Sequence, residues 1–224
     1  MNLKKQVGIE SAKYVESGMI VGLGTGSTAY YMIEELGRRV KEEGLDIVGI
    51  PTSVASKQQA EALGIKIVDV DDVSHVDLTI DGADEIDPSL DGIKGGGAAL
   101  LFEKVVANIS KKIIWIADDS KKVNHLGKFP LPIEVVQYGS KQVFNRFEEK
   151  GYKPTYRMKD GNKHITDSGN YIIDLHLDII ENPSALALEL KSMVGVIEHG
   201  LFINRCDIAI FASGSGIEVV KRAD

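Results

Sequence analysis

The sequence predicts an α/β protein that combines a Rossmann-like parallel sheet domain with a second, smaller ferredoxin-like α+β domain. Up to residue 128, short apolar strands alternate with amphipathic helices, which is typical of a parallel sheet covered on both faces. From residue 129 the predicted order becomes β-α-β-β-α-β, the order of a ferredoxin-like unit. We therefore expect one domain over residues 1–128 plus 201–224 and a second over residues 129–200.

The predicted elements of the first domain alternate along the chain. Residues 3–16 form an amphipathic helix that stops at Gly18. Further helices are expected at 29–43, 54–63 and 98–109, and strands at 19–23, 46–50, 65–70, 76–80 and 113–117. A short apolar strand at 206–211 is expected to return to the first sheet.

The second domain has its own set of predicted elements. Strands are expected at 133–136, 153–158, 171–178 and 194–198, with helices around 143–147 and at 185–193. The segment contains no glycine-rich phosphate loop and no dense cluster of titratable residues. A role in structure or oligomerisation is therefore expected for it, rather than a role in catalysis.

The composition excludes several classes of protein. Of the 224 residues, 43% are hydrophobic and 26% are charged, and the net charge of −7 argues against a general nucleic-acid surface. Apolar runs stay well short of the ~20 residues that a membrane helix needs, and the charged N-terminal segment lacks a secretory signal. The single cysteine, Cys206, suits a reducing compartment. We expect a cytoplasmic protein that binds neither nucleic acid nor membrane.

A glycine-rich turn joins the first predicted strand to the second predicted helix. It reads Gly24-Thr25-Gly26-Ser27-Thr28. Free N–H groups at a helix start favour an anion, and the three hydroxyls add donors. The Walker pattern fails because no Lys-Ser/Thr pair follows the glycines, and the dinucleotide pattern fails because Ser27 stands at its third glycine. The turn therefore fits either a small phosphate monoester or a purely structural connection.

The stretch from residue 77 to residue 104 carries the densest chemistry of the chain. The strand at 76–80 runs into Asp81-Gly82-Ala83-Asp84, and a turn-rich span leads to Lys94-Gly95-Gly96-Gly97. A helix begins at Ala98 and contains Glu103. Carboxylates can move protons, while a lysine and backbone N–H groups can stabilise negative charge.

The acidic residues of this stretch also raise the question of a metal site. They are Asp81, Asp84, Glu85, Asp87 and Asp91. Their spacing does not match a calcium loop, and no histidine pair at ligand spacing accompanies them, so we predict no metal site. For Glu85, Asp87 and Asp91 we expect a solvated acidic loop. Asp81 and Asp84 directly follow a strand end and are candidate functional residues.

Four polar segments follow predicted strands. They are GTGST at 24–28, PTS at 51–53, DGAD at 81–84 and ADDSK at 117–121. Because the carboxyl ends of parallel strands meet at one edge of a sheet, these segments can converge on one site.

Together these motifs resemble the ribose-5-phosphate isomerases of the A type. DGADEID followed by KGGGAALLFEK is similar to the signature of that family, and the resemblance extends to VGLGTGST at 21–28 and DDSKKVNHLGKFPLP at 118–132. It implies a cofactor-free aldose–ketose isomerase that interconverts D-ribose 5-phosphate and D-ribulose 5-phosphate through an enediolate. This is a reaction of the non-oxidative branch of the pentose phosphate pathway. The resemblance further implies that the first domain is catalytic and that the protein is a homodimer or a dimer of dimers (homotetramer).

The resemblance also implies roles for individual residues. Glu103 is the base, and Lys94 with the N–H groups of Gly95 to Gly97 stabilises the developing oxyanion. Asp81 and Asp84 hold the sugar hydroxyls, assist ring opening or shuttle a proton between O1 and O2, and these alternatives stay open. The substrate-binding residues implied are Thr25, Gly26, Ser27, Thr28, Asp81, Gly82, Ala83, Asp84, Lys94, Gly95, Gly96, Gly97 and Lys121.

Two further residues, the alternative functions and one departure from the family pattern complete the sequence analysis. Lys4 could approach the phosphate, but a lysine in a first helix is expected to be solvated. Helical spacing alone indicates no burial of Glu103. A sugar-phosphate sensor of a transcription regulator is an alternative function, but only about twenty residues precede the phosphate loop. A sugar-phosphate deaminase or a CoA transferase would need different catalytic residues. The segment 211–217 reads Phe-Ala-Ser-Gly-Ser-Gly-Ile, where the family has a threonine-proline turn.

Overall fold

The structure, a computed structural model, describes residues 2–223. The helices in this range are α1 (Leu3–Ala12), α2 (Ser27–Glu43), α3 (Val54–Ala62), α4 (Leu100–Asn108), α5 (Ser140–Glu149) and α6 (Pro183–Lys191). The strands are β1 (Ile20–Leu23), β2 (Val48–Pro51), β3 (Lys66–Ile67), β4 (Leu78–Gly82), β5 (Glu85–Ile86), β6 (Gly92–Ile93), β7 (Ile113–Asp118), β8 (Leu131–Val135), β9 (Pro154–Tyr156), β10 (Met158–Lys159), β11 (Asn162–Lys163), β12 (Tyr171–Leu175), β13 (Val196–His199), β14 (Leu201–Phe202), β15 (Ile208–Ser213) and β16 (Gly216–Lys221). Short 3-10 turns lie at Val70–Asp72 and Asp119–Lys121.

The chain folds as two compact units. The first takes the residues up to Ala83, Phe102–Lys121 and the residues from Asn204 onward, and the second takes Asp84–Leu101 and Lys122–Ile203. Residues 84–101, 122–128 and 201–203, which the predicted boundaries assign to the first domain, group with the second unit.

The first unit is built on a seven-stranded sheet in the order β16-β15-β7-β4-β1-β2-β3. Its strands are parallel, apart from β16, which pairs antiparallel with β15. Helices α1 and α2 pack against this sheet, and Val106 of α4 packs in a separate apolar cluster with Ile50 and Val76. Strand β7 is buried over all but its last residue, as expected for a strand covered on both faces. The predicted α/β class is confirmed.

An aspartate anchors the amino edge of this sheet. Asp77 accepts hydrogen bonds from the Ile20 N–H at 2.9 Å, from Lys111 Nζ at 2.9 Å and from the His75 ring at 3.1 Å. The Ile20 N–H, followed by the Lys111 ammonium, holds the pKa of the Asp77 carboxyl below its ordinary value of 3.8. Asp77 therefore stabilises the folded state when it is ionised.

Two predicted elements of the first unit end earlier than expected. Helix α1 stops at Ala12, whereas the sequence predicted 3–16, because the next N–H groups bond three residues back, as from Tyr14 to Ser11 (3.1 Å). The strand predicted at 65–70 is only two residues long. Asp69 ends it, because its side chain accepts from the Asp71 N–H and caps a 3-10 turn.

The C-terminal segment completes the first sheet. The strand predicted at 206–211 is β15, which joins the first sheet as expected and lies parallel to β7. The segment that departs from the family pattern forms the tight turn between β15 and β16, an edge strand that was not predicted. Cys206 is buried before β15, and burial raises the pKa of its thiol to about 12.

The second unit contains a four-stranded antiparallel sheet in the order β13-β8-β12-β9. With its four strands numbered along the chain, this order is 4-1-3-2, and the two helices α5 and α6 follow the first and third of them. The predicted ferredoxin-like arrangement is confirmed. Its core contains Ile133 and Val135 of β8, Phe147 of α5 and Leu190 of α6.

The second unit also holds strands that the sequence did not predict. A three-stranded sheet, β14-β6-β5, orders the turn-rich residues that follow Asp84. The strand expected at 153–158 breaks at Arg157, between β9 and the small hairpin of β10 and β11. Among residues 2–223, no helix is both long and apolar enough to cross a membrane.

Candidate active site

The phosphate-loop candidate lies between β1 and α2 in the first unit. Gly26 is the N-cap of α2 and has φ +104°, a left-handed conformation that glycine adopts without steric penalty. It offers no side chain to the first N–H groups of α2, so these groups can bind an anion. Ser27 and Thr28 begin the helix and add hydroxyls at the same end.

Asp81, at the carboxyl end of β4, holds this turn in place. Its Oδ1 accepts from the Thr25 N–H at 3.0 Å and from the Gly82 N–H at 2.8 Å, and the residue is only 2% exposed. The approach needs a glycine at position 24, because a Cβ there would lie 2.2 Å from Asp81 Oδ1. The structure therefore brings Asp81 of the DGAD motif into contact with the GTGST turn.

The PTS segment after β2 joins the same cluster. Thr25 Oγ1 lies 2.7 Å from Thr52 Oγ1 and donates to Ser53 Oγ at 2.9 Å. Thr52 also donates to the Leu23 carbonyl at 3.0 Å, and Ser53 caps α3 together with Ser56. The convergence predicted for these strand ends is present.

Lys4 contradicts its expected solvated position. Its Nζ donates to Ser27 Oγ at 2.8 Å, and its side chain is half-buried. Asn2 caps α1 by accepting from the Lys4 N–H, which fixes the start of that helix. A positive charge therefore stands beside the N-terminus of α2.

Glu103 lies in the first turn of α4 and is 4% exposed. Val106 and Ala107 are buried at i+3 and i+4, whereas Phe102 and Val105 are partly exposed on the other face. The carboxylate is thus on the buried face of a rigid helix, although the sequence analysis indicated no burial.

Lys121 ends the 3-10 turn that follows β7 and is half-buried. Asp118, the last residue of β7, accepts from the Ser120 N–H at 3.1 Å and from the Ser120 hydroxyl. The ADDSK motif therefore follows a strand of the first sheet, as predicted.

The second unit carries Asp84 and the glycine segment. Asp84 Oδ2 accepts from the Gly96 N–H at 2.8 Å, and a Cβ at position 96 would lie 2.6 Å from Asp84 Oδ1. Lys94 is 2% exposed, with its Nζ 5.3 Å from the centroid of the Phe202 ring. The Lys94 N–H donates to the Gly200 carbonyl at 2.9 Å. Asp84 and Gly96 are therefore hydrogen-bonded to each other, and the buried Lys94 lies two residues before Gly96 in the same segment.

Comparison with known proteins decides the family. The sequence pattern of ribose 5-phosphate isomerase A (phosphoriboisomerase A) matches residues 48–216. This chain belongs to that family. Ribose-5-phosphate isomerase A of Enterococcus faecalis is 62% identical over 217 residues, 96% of each chain. The protein of the same name from Streptococcus gordonii is 57% identical over 220 residues, 98% of each chain.

Solved structures with the same name share the fold. A D-ribose-5-phosphate isomerase in complex with phospho-erythronic acid is 39% identical, with a TM-score of 0.96 over 99% of this chain and 100% of that one. The ribose 5-phosphate isomerase from Plasmodium falciparum is 36% identical, with a TM-score of 0.95 over 99% of this chain and 98% of that one.

In this member of the ribose 5-phosphate isomerase A family, the predicted exposure of Glu85 is also wrong. Glu85 was expected in a solvated acidic loop, but it is 3% exposed. Its carboxylate accepts from the Gly127 N–H at 2.7 Å and from the Phe129 N–H at 2.6 Å. Asp87, which is half-buried, accepts from the Ser89 and Asp91 N–H groups, both at 2.9 Å. Glu85 and Asp87 therefore shape the backbone around the site motifs.

The described part of the chain, residues 2–223, contains no group of three or more His, Cys, Asp or Glu side chains arranged to hold a metal ion. Lys4 contacts the phosphate turn although it was expected to be solvated. Thr52 and Ser53 were not named individually as site residues, but they belong to the PTS segment, which was predicted to converge on this edge of the sheet.

Proposed function

We propose that this chain, an isomerase by family, interconverts D-ribose 5-phosphate and D-ribulose 5-phosphate by proton transfer between C2 and C1 of the open-chain sugar. Membership of the ribose 5-phosphate isomerase A family supports the reaction and its substrate. The relative solved with phospho-erythronic acid supports the intermediate, because the planar carboxylate of that ligand resembles an enediolate.

The substrate phosphate is proposed to bind at the N-terminus of α2. Its donors are the first N–H groups of the helix, the hydroxyls of Ser27 and Thr28, and the Lys4 ammonium beside Ser27, while Thr25 shapes the turn through Thr52 and Ser53. On a chain of net charge −7, a phosphate dianion needs such a local source of positive potential.

Glu103 is proposed to remove the C2 proton and return it to C1. The observation that carries this assignment is the burial of its carboxylate on α4. A general base must hold its oxygen within hydrogen-bond reach of one proton, and an exposed, rotating glutamate would not.

The enediolate charge is proposed to be stabilised by Lys94 and the N–H groups of Gly95 to Gly97, and Lys121 is proposed to contact the substrate. Asp81 and Asp84 are proposed to serve the sugar hydroxyls and ring opening. These assignments are supported by the family resemblance of the motifs. In the structure, both aspartates also accept backbone N–H groups, Asp81 in the phosphate turn and Asp84 at Gly96.

The assignment of the base is tested by Glu103→Gln, with Glu61→Gln on the exposed face of α3 as the matched control. We expect kcat to fall by roughly 10²–10⁴, about 3–5 kcal/mol, with KM little changed, because the amide matches the carboxylate in shape. The control should keep kcat within a few-fold. A Glu103→Gln enzyme with near-wild-type kcat would refute the assignment.

We also propose a cytoplasmic homodimer or dimer of dimers, assembled through the segment 129–200. That segment exposes several large apolar side chains, and a contiguous apolar patch on a protein surface marks an interaction site. They are Tyr138, Met158, Ile165, Ile179, Leu188 and Val194. Sedimentation velocity on the purified chain tests the proposal, and a monomer at micromolar concentration would refute it.

A further inference from the structure

Arg157, at the break between β9 and β10, binds the glycine segment of the second unit. Its Nη1 donates to the Gly95 carbonyl at 2.6 Å and to the Gly96 carbonyl at 3.1 Å. The other side of the guanidinium forms a two-pronged ion pair with Asp174 of β12, with Nε at 3.0 Å from Oδ2 and Nη2 donating to Oδ1. Both side chains are largely buried, at 17% and 14% exposure.

These two bonds determine the direction of two backbone donors. In a trans peptide the C=O and the following N–H point in opposite directions. The Gly95 carbonyl faces Arg157, so the Gly96 N–H faces away from it, and this N–H indeed donates to Asp84 at 2.8 Å. By the same geometry the Gly96 carbonyl turns the Gly97 N–H away from Arg157.

The segment needs such an anchor because it consists of glycines. Gly95 has φ +105°, and successive glycines have access to many backbone conformations in which the N–H groups point elsewhere. Asp174 holds the guanidinium from a strand in the middle of the four-stranded sheet, paired with both β8 and β9. A cation on the carbonyls also polarises the peptide groups and strengthens their N–H donors.

We propose that Arg157 is a positioning residue that keeps the Gly96 N–H on Asp84 and directs the Gly97 N–H of the glycine segment to the enediolate oxyanion, without touching the substrate itself. This inference rests on the proposed function, in which the N–H groups of this segment stabilise the intermediate. Arg157 therefore acts on the transition state more than on substrate binding. Its loss lowers kcat and leaves KM nearly unchanged.

The test compares Arg157→Ala and Arg157→Lys with Lys153→Ala, which breaks an exposed ion pair with Asp178 in the same unit. We expect kcat for ribose 5-phosphate to fall about 10- to 100-fold in Arg157→Ala. This loss does not exceed the loss of kcat caused by removing a direct oxyanion donor. Arg157→Lys should retain more activity, because one ammonium can still bind carbonyls. Guanidinium chloride, far below denaturing concentrations, should restore part of the Arg157→Ala activity, whereas urea should not.

The proposal fails if folded Arg157→Ala keeps kcat within about threefold of the Lys153→Ala control, if the change falls on KM alone, or if guanidinium restores nothing. Circular dichroism shows whether each variant folds. If Arg157→Ala does not fold, the kcat of Arg157→Lys tests the proposal instead. An Arg157→Lys kcat equal to that of the Lys153→Ala control would refute it. A wild-type chain that does not isomerise ribose 5-phosphate would instead refute the proposed function.

Discussion

Two substitutions of Asp81 separate the structural role of its carboxylate, which holds the phosphate turn, from its role in the reaction. Asp81→Ala removes the acceptor of the Thr25 and Gly82 N–H groups, whereas Asp81→Asn keeps an amide oxygen in the place of Oδ1. The alanine variant should therefore loosen the turn that precedes α2. The asparagine variant should preserve the turn but lose the negative charge.

The loss of stability expected in Asp81→Ala follows from these two hydrogen bonds. A hydrogen bond to a charged group contributes about 1.5–3 kcal/mol, and both N–H groups are only partly buried, so water can replace part of the loss. Asp81→Ala should therefore lower the free energy of unfolding by about 2–4 kcal/mol. In a chain of this size, that corresponds to a fall of roughly 4–16 °C in Tm.

Two measurements check this reasoning. Thermal unfolding should show the fall in Tm for Asp81→Ala and only a small change for Asp81→Asn. Steady-state kinetics with ribose 5-phosphate should show a raised KM for Asp81→Ala, because the phosphate turn is displaced. Asp81→Asn should keep KM and lose kcat, because its carboxylate no longer serves the sugar hydroxyls. Equal Tm and equal KM in the two variants would show that the carboxylate does not hold the turn.

Further changes test the turn, the sheet edge and the absence of a metal requirement. Gly24→Ala places a Cβ 2.2 Å from Asp81 Oδ1 and 2.5 Å from its Cα, so KM should rise at least tenfold, on the order of 1.4 kcal/mol of lost binding; an unchanged KM would contradict this geometry. Asp77→Asn should be less stable at neutral pH by about 1–2 kcal/mol. Because the folded pKa of Asp77 lies below its ordinary value of 3.8, its contribution is present above that pH and is lost as pH falls through the folded pKa. A difference in Tm between wild type and Asp77→Asn that stays constant down to low pH would contradict this. Isomerisation should persist after exhaustive chelation, and loss of activity restored by a divalent ion would contradict a cofactor-free mechanism.

Most of the first sheet could be predicted because its strands are buried apolar runs followed by turn residues. Strands β1, β4 and β7 and helix α2 lie close to their predicted positions, and the return of β15 to the first sheet followed from its apolar composition. The sheet of β5, β6 and β14 could not be predicted in the same way. Each of its strands has two residues, too short for any periodicity to show.

The site was predictable where its residues follow strands in recognisable motifs. The burial of Glu103 was not predicted, because helical spacing alone gave no reason for it; in the structure Glu103 shares a buried helix face with Val106 and Ala107 at i+3 and i+4. Lys4 and Glu85 are different, because their partners lie 23 and at least 42 residues away in sequence. No local pattern encodes such contacts, which depend on the tertiary fold.

The contacts of Arg157 could not be predicted from local sequence either. Arg157 contacts Gly95 and Gly96 across about sixty residues, 62 and 61 apart. The sequence predicted a continuous strand at that point, and the break that lets the side chain reach the glycine segment arises from the fold of the second unit.

Hydrogen exchange between substrate and solvent shows whether Glu103 moves the proton. Ribose 5-phosphate is incubated in D₂O with wild-type enzyme or with Glu103→Gln, and deuterium at C2 of the aldose and C1 of the ketose is followed by NMR. The wild-type enzyme should incorporate deuterium during turnover, because a carboxylate that holds the proton can exchange it with solvent. Glu103→Gln should incorporate none above the rate in buffer. If Glu103→Gln exchanges at the wild-type rate while Asp81→Asn or Asp84→Asn does not, the base is one of the aspartates and the account is wrong.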